Sequence, residues 1–199
     1  MALINEVIPI QGFDLVGQKI ASILLLELTN QINIQSLTDD LGVFLERTNP
    51  YDKSEDLMVN VSCNNISYSE FTQRDSQGNT TYYVDVYGRS FETADLSGDL
   101  GSRNKLNLYV GFCKYILSCV IYKTLDTGFG LIGGVYVTGI AFDANESNQD
   151  GTFIRMARIT LSVRIMENQE MDNVLEFTGN DTQIKLSDTD KGQKLIFNT

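Results

Sequence analysis

The chain has 199 residues, with 15 Lys+Arg against 26 Asp+Glu and no histidine, for a formal net charge of −11. Its 42% apolar and 21% charged residues are enough to build a core and exclude wholesale disorder. The missing imidazole removes Ser-His-Asp and Cys-His machinery and the commonest ligand of catalytic zinc, so acid–base chemistry would need carboxylates, Lys or Tyr with shifted pKa values. The acidity opposes lasting attachment to phosphate backbones and suits a protein that touches DNA only in passing.

Pro9 and Gly12 close an extended leader, residues 1–12. From Phe13-Asp14 onward Val16, Ile20, Ile23, Leu24 and Leu28 recur at three- and four-residue steps, which predicts a helix ending near Asn30–Asn33. Ser36–Leu41 is a connector, Gly42–Glu46 a short strand, and Thr48–Asp56 a polar loop punctuated by Asn49-Pro50. Leu57, Val59, Val61 and Cys63 alternate with polar neighbours as in a half-buried strand. Asn64-Asn65 interrupts the alternation, and Ile66–Phe71 resumes it. Asp75–Asn79 reads as a hairpin turn, with Thr80–Tyr87 as the return strand carrying Tyr82, Val84 and Val86 on one face.

Gly88–Gly101 is expected to be a loop bearing Glu92, Asp95 and Asp99, with Arg89 its only base. A long helix then runs from an N-cap at Ser102 to about Lys123, with a core stripe of Leu106, Tyr109, Val110, Cys113, Ile116, Leu117 and Val120. A helix this apolar is expected between the sheet and a second element, either the first helix or a neighbouring subunit. Gly133–Phe142 is a strand, Asp143–Gly151 a polar tip, and Thr152–Met166 the longest strand, carrying Arg155, Arg158 and Arg164, which cannot all face the core. The polar remainder, 167–199, with β-like islands at Val174–Phe177, Gln183–Leu186 and Lys194–Phe197, reads as a C-terminal extension: a small hairpin, or an arm ordered on a partner.

Gly128-Phe-Gly130-Leu-Ile-Gly133 spells G-x-G-x-x-G, but with a helix before and a strand after it, the reverse of what a dinucleotide loop requires. Asp143, Asn145, Ser147 and Asp150 offer oxygens at roughly the alternate spacing of a calcium loop, yet Asn148 and Ile154 stand where Gly and Glu are needed. Asp39-Asp40 and Glu55-Asp56 are read as solvated acids, and the N-x-S/T triplets at Asn60, Asn65, Asn79 and Asn145 as chance matches. Cys63, Cys113 and Cys119 read as small apolar residues of a reducing compartment; neither Ile20–Leu28 nor Leu106–Tyr122 is a membrane span, and the start lacks signal-peptide character. No catalytic, cofactor or metal set is read from the sequence.

The order helix, loop, hairpin, long helix, second hairpin ending in a long strand predicts an α+β fold, mainly antiparallel, with two helices on one face of the sheet and a β-rich C-terminal extension. With Leu57–Cys63 and Thr80–Tyr87 as central hairpin, Ser102–Lys123 as long helix and Ala157–Met166 as late strand, residues 13–166 resemble the tail terminator, tail-completion and neck-ring proteins of long-tailed bacteriophages. The resemblance implies a homo-oligomeric ring, hexameric or matched to a twelvefold portal, at the head–tail neck or tail end of a virion. Such a ring assembles in the host cytoplasm, joins portal or connector to tail, and lets DNA through its lumen. Like-charged subunits then need cross-interface pairs, expected between Arg155, Arg158 or Arg164 and either the Glu92/Asp95/Asp99 loop or the acidic tail. The other reading of these arginines is of exposed strand residues. A monomeric α+β ligand- or protein-binding adaptor is the alternative from another class, and a carboxylate- or tyrosine-based enzyme the third.

Overall fold

The computed structural model describes residues 7–8, 10–48, 55–71, 75–92, 97–127, 131–143, 152–168, 180–185 and 192–197. The chain forms two compact units, Met1–Gln169 and Glu170–Thr199.

The first unit opens with helix α1 (Gly12–Ile34), whose buried residues include all five of the expected apolar stripe. Gly12, assigned to the leader by sequence, is the first helical residue and is buried. The helix closes on Ser36 in the left-handed region (φ 54°), with Leu37 N–H donating to Ile32 O at 2.9 Å, a Schellman-type end. Strands β1 (Leu41–Leu45), β2 (Leu57–Phe71), β3 (Asp75–Phe91), β4 (Ile132–Asp143) and β5 (Thr152–Asn168) form one sheet in the order β1-β2-β3-β5-β4. β1 runs parallel to β2 and every other pair is antiparallel, so the sheet is mixed. The connection between the parallel strands must travel back the length of β1. Its two ends are pinned to the outer face of β2: Arg47 pairs with Glu55, Arg47 N–H donates to Asn60 Oδ1 (3.0 Å), and Asn60 Nδ2 donates to Arg47 O (3.2 Å).

The central hairpin is longer than its composition suggests. Asp75–Asn79, expected as the turn, lies within β3, where Ser76 pairs with Phe71 and Gly78 with Tyr68. Gly78 is required there because a Cβ would stand 2.6 Å from Ser67 O, so the residue marks a close approach of two backbones. Asn64 falls where the β2–β3 register shifts, between Cys63 and Asn65, at the interruption of the alternation.

Helix α2 (Gly98–Ser118) starts a turn earlier than expected. Ser97 is its N-cap, accepting from Leu100 N–H, whereas Ser102 Oγ donates back to Asp99 O inside the helix. The helix stops at Cys119, which is extended, and a 3-10 turn (Val120–Tyr122) follows. That break turns Val120, expected in the core stripe, out to solvent; the other six residues of the stripe are buried.

Leu57, Val59 and Val61 of β2, Tyr82, Val84 and Val86 of β3, and Ala157, Ile159, Leu161 and Val163 of β5 join the buried stripes of both helices in one hydrophobic cluster. The period-two alternation puts these strand residues on a single face. Tyr82 OH donates to Phe13 O, tying the central strand to the start of α1. Glu167, placed by sequence in the C-terminal extension, belongs to this unit, because β5 continues to Asn168. Glu167 is buried, and its Oε2 accepts from Tyr68 OH at 2.6 Å. Burial first, and then this carboxylate, push the Tyr68 phenol up to about 12.

The second unit holds β6 (Asn180–Lys185) antiparallel to β7 (Gly192–Phe197), overlapping two of the expected β-like islands. Val174–Phe177, the polar tip at 144–151 and the interior of the 49–54 loop lie outside the described residues.

Two substitutions test this core. Thr80 Oγ1 is buried without a hydrogen-bond partner among the described residues, so Thr80→Val should raise stability by about 1 kcal/mol in a denaturant melt. Gly78→Ala should lower it by about 2 kcal/mol, since the clash is with backbone rather than with a movable side chain.

Candidate interaction surfaces

The start of α2 is built to meet β5. Gly98 packs so tightly that an added Cβ would overlap Cδ2 and Cε2 of the Phe153 ring, and Asp99, in the first turn, lies against Arg155. Arg155 Nε donates to Asp99 Oδ1 at 2.9 Å, and the second guanidinium nitrogen bonds the same oxygen. A carboxylate at this place also faces the positive end of the helix dipole. Glu92 is exposed just beyond β3 and pairs with none of the three arginines among the described residues, while Asp95 lies outside them.

Arg158 and Asp85 are directly opposed in the β3–β5 register, on the sheet face away from the hydrophobic cluster. The guanidinium donates two bonds, Nε to Oδ1 at 2.7 Å and Nη2 to Oδ2 at 2.8 Å, and stacks 4.3 Å above the Tyr83 ring centroid. The Asp85 hydrogen bonds hold the guanidinium pKa above its ordinary value. Arg164 is exposed on that same face, its stem lying over Gly133 in the space a Cβ would take. Arg155 and Arg158 therefore have carboxylate partners within their own chain. Asp85 was missed by sequence reading. The alternation of Thr80–Tyr87 does place it on the polar face, and pairing β3 with β5 is the added step that sets Arg158 across from it.

Two acids read as merely solvated converge on one lysine. Lys105 Nζ of α2 lies 2.7 Å from Asp39 Oδ1 and 2.8 Å from Asp56 Oδ1, and Tyr109 OH donates to Asp39 Oδ2 at 2.7 Å. This cluster ties the α1–β1 connector and the start of β2 to α2. Burial alone would raise the Asp39 carboxyl, but bonds from Lys105 and Tyr109 outweigh it and hold the group below its ordinary 3.8. Burial and the bond to Asp39 raise the Tyr109 phenol. The geometry of the cluster is that of a staple.

A cleft of about 520 Å³ lies between the N-terminal half of α2 and the ends of β4 and β5, lined by Arg103, Leu106, Asn107, Phe142, Asp143 and Arg155. Leu106 and Phe142 give it apolar walls, and its charged groups are of both signs: Arg103, the Asp99-bonded Arg155 and Asp143. Among the described residues no group of three His, Cys, Asp or Glu side chains is placed to hold a metal ion, and no helix is long and apolar enough to cross a membrane. The cysteines are free thiols, and burial pushes that of Cys113 up to about 12. No protein-family model matches the chain, and no curated protein matches it significantly.

A carboxyl whose pKa is lowered on folding adds stability above its unfolded value and loses it as pH falls through the folded one. Asp39→Asn should therefore destabilise the protein at pH 7, with a deficit that shrinks as pH drops below 3.8, read from urea melts across pH 2.5–7. Lys105→Met should cost about 2 kcal/mol at pH 7 by leaving two half-buried carboxylates without their cation. The Lys105→Met, Asp39→Asn, Asp56→Asn triple variant should recover part of that loss.

Proposed function

We propose that the chain is a non-catalytic structural protein of a long-tailed bacteriophage virion, assembled in the host cytoplasm into a homo-oligomeric ring of six or twelve copies. The ring sits at the head–tail neck or tail end, joins portal or connector to tail, and lets DNA pass. Its fold in this reading is tail-terminator-like, with both helices covering one face of the sheet.

The observation that carries the proposal is the element order α1-β1-β2-β3-α2-β4-β5 with its central hairpin, long second helix and long last strand, the pattern on which the resemblance stands. The net charge of −11 supports it physically, since an acidic wall repels DNA and keeps it mobile. Arg155 and Arg158 already have partners within the subunit, so contacts between subunits fall to other surfaces.

A second reading, a monomeric adaptor that binds a ligand or a protein, is favoured by the cleft between α2 and β4–β5. Size-exclusion chromatography with light scattering, and negative-stain images, separate the two. The ring reading expects six- or twelvefold particles, formed alone or on mixing with portal or tail-tube proteins. A chain that stays monomeric in every mixture, and whose melting temperature rises with a small ligand, overturns it in favour of the adaptor.

A further inference from the structure

A sheet edge and a cleft meet at one end of β4. This strand is outermost in the sheet and pairs on one side, with β5. Exposed edges are ordinarily closed by charge, proline or a bulge, and β4 has a closed part and an open one. In the closed part Lys123 Nζ donates to Val135 O at 2.7 Å, and the register shifts between Val137 and Gly139. From Gly139 to Asp143 the pairing is regular, against Thr160 to Met156. This stretch has no proline, and Asp143, its last residue, carries its only charge.

The direction of the main-chain groups in the open part follows from Thr160, whose carbonyl faces β4 and accepts from Thr138 Oγ1 at 3.1 Å. Main-chain groups alternate along a strand, so Arg158 and Met156 also face β4, opposite Ala141 and Asp143. Ile140 and Phe142 therefore direct N–H and C=O outward, where no strand pairs with them among the described residues.

The cleft of about 520 Å³ lies at the same place. Phe142 and Asp143 line it from the strand, and Arg103, Leu106 and Asn107 from α2. Phe142 stands opposite buried Ala157, hence on the core side of the sheet, yet is 59% exposed. Each feature specifies part of an occupant. Outward edge groups call for an extended main chain, and the apolar lining beside them calls for an apolar side chain. The opposite charges of Arg103 and Asp143 match a polypeptide better than a lone ion. A residue set opposite Phe142 would carry its side chain on the same face, beside the cleft.

We propose that the end of β4 binds an extended segment of another protein as an added strand, pairing with Ile140 and Phe142 and placing an apolar side chain against Phe142 in the cleft. The net charge of −11 opposes pairing of two copies over so short an edge. The inference stands apart from the ring reading and applies to a monomer or a ring alike.

The test selects a ribosome-displayed library of random peptides against the full chain, and titrates a synthetic, fluorophore-labelled copy of an enriched peptide by anisotropy. Methylating the peptide's amides should weaken binding at least about tenfold at every second position, those facing β4, and little at the positions between. Ile140→Pro removes an outward N–H and leaves the bonds to β5, and Phe142→Ser strips the cleft lining; each should weaken binding about tenfold or more. Hydrogen exchange supplies an arm without variants: the Ile140 and Phe142 amides should exchange fast in the free chain and slowly with peptide bound. Failure to enrich any peptide, or affinity unmoved by both substitutions and by methylation, overturns the proposal. Slow exchange at both amides in the free monomer shows the edge filled by its own chain, and slow exchange that appears only on self-association assigns it to a second copy; either result overturns the proposal too. Rings without peptide binding overturn this inference and leave the ring reading standing, and peptide binding by a chain that never forms rings does the reverse.

Discussion

The pairing of β3 with β5 is the constraint on which the rest of the first unit depends. Both strands have 17 residues, and their register runs without a slip from Asp75–Asn168 to Phe91–Thr152. A slip by one residue would put Val84 opposite Arg158 or Thr160, so that with Tyr82, Val84 and Val86 kept in the core, Ile159, Leu161 and Val163 would turn to the other face of the sheet. It would also separate Asp85 from Arg158 and carry Glu167 away from Tyr68. Apolar burial favours the register, and the bidentate ion pair on the opposite face disfavours its alternatives. The two faces of one strand pair thus specify the same alignment by different means.

A chain with an excess of eleven negative charges would be expected to spend its cations where repulsion is greatest, and the structure shows where that is. Lys105 sits between Asp39 and Asp56, Arg155 holds Asp99, Arg158 holds Asp85, and Arg47 holds Glu55. Lys105, Arg155 and Arg158 join segments distant in sequence and Arg47 closes its own connection, so these four cations serve as internal fastening. Exposed pairs contribute little individually. The Lys105 and Arg158 groups are partly shielded and geometrically determined, and these hold connectors and strands in place.

Much of this was legible in the sequence because it is periodic. The stripe from Val16 to Leu28, the alternation from Leu57 to Cys63, the break at Asn64 and the core run of α2 up to Leu117 all follow from a single repeat, 3.6 or 2.0 residues. What failed was decided by tertiary context. Asp75–Asn79 has the composition of a turn, yet Gly78 serves a close approach of strands. Ser102 has the chemistry of a cap, yet Ser97 holds that place. Val120 fits the stripe, yet the helix has already ended. The parallel placing of β1 has no local signal at all. On the candidate surfaces the arginines and Asp99 were identified, whereas Asp85, and the Asp39 and Asp56 that meet Lys105, acquire meaning only when segments tens of residues apart are brought together.

The order in which the strands leave the ribosome has its own consequence. β2 and β3 are neighbours in sequence and close locally, but β5 is separated from β3 by the whole of α2 and β4. During synthesis, one full edge of β3 therefore waits unpaired until some sixty further residues have been translated. A long bare edge of this kind is the place where nascent copies on one message would join each other, so translation speed through 92–152 and chaperone capture of the β2–β3 hairpin should govern the yield of native protein.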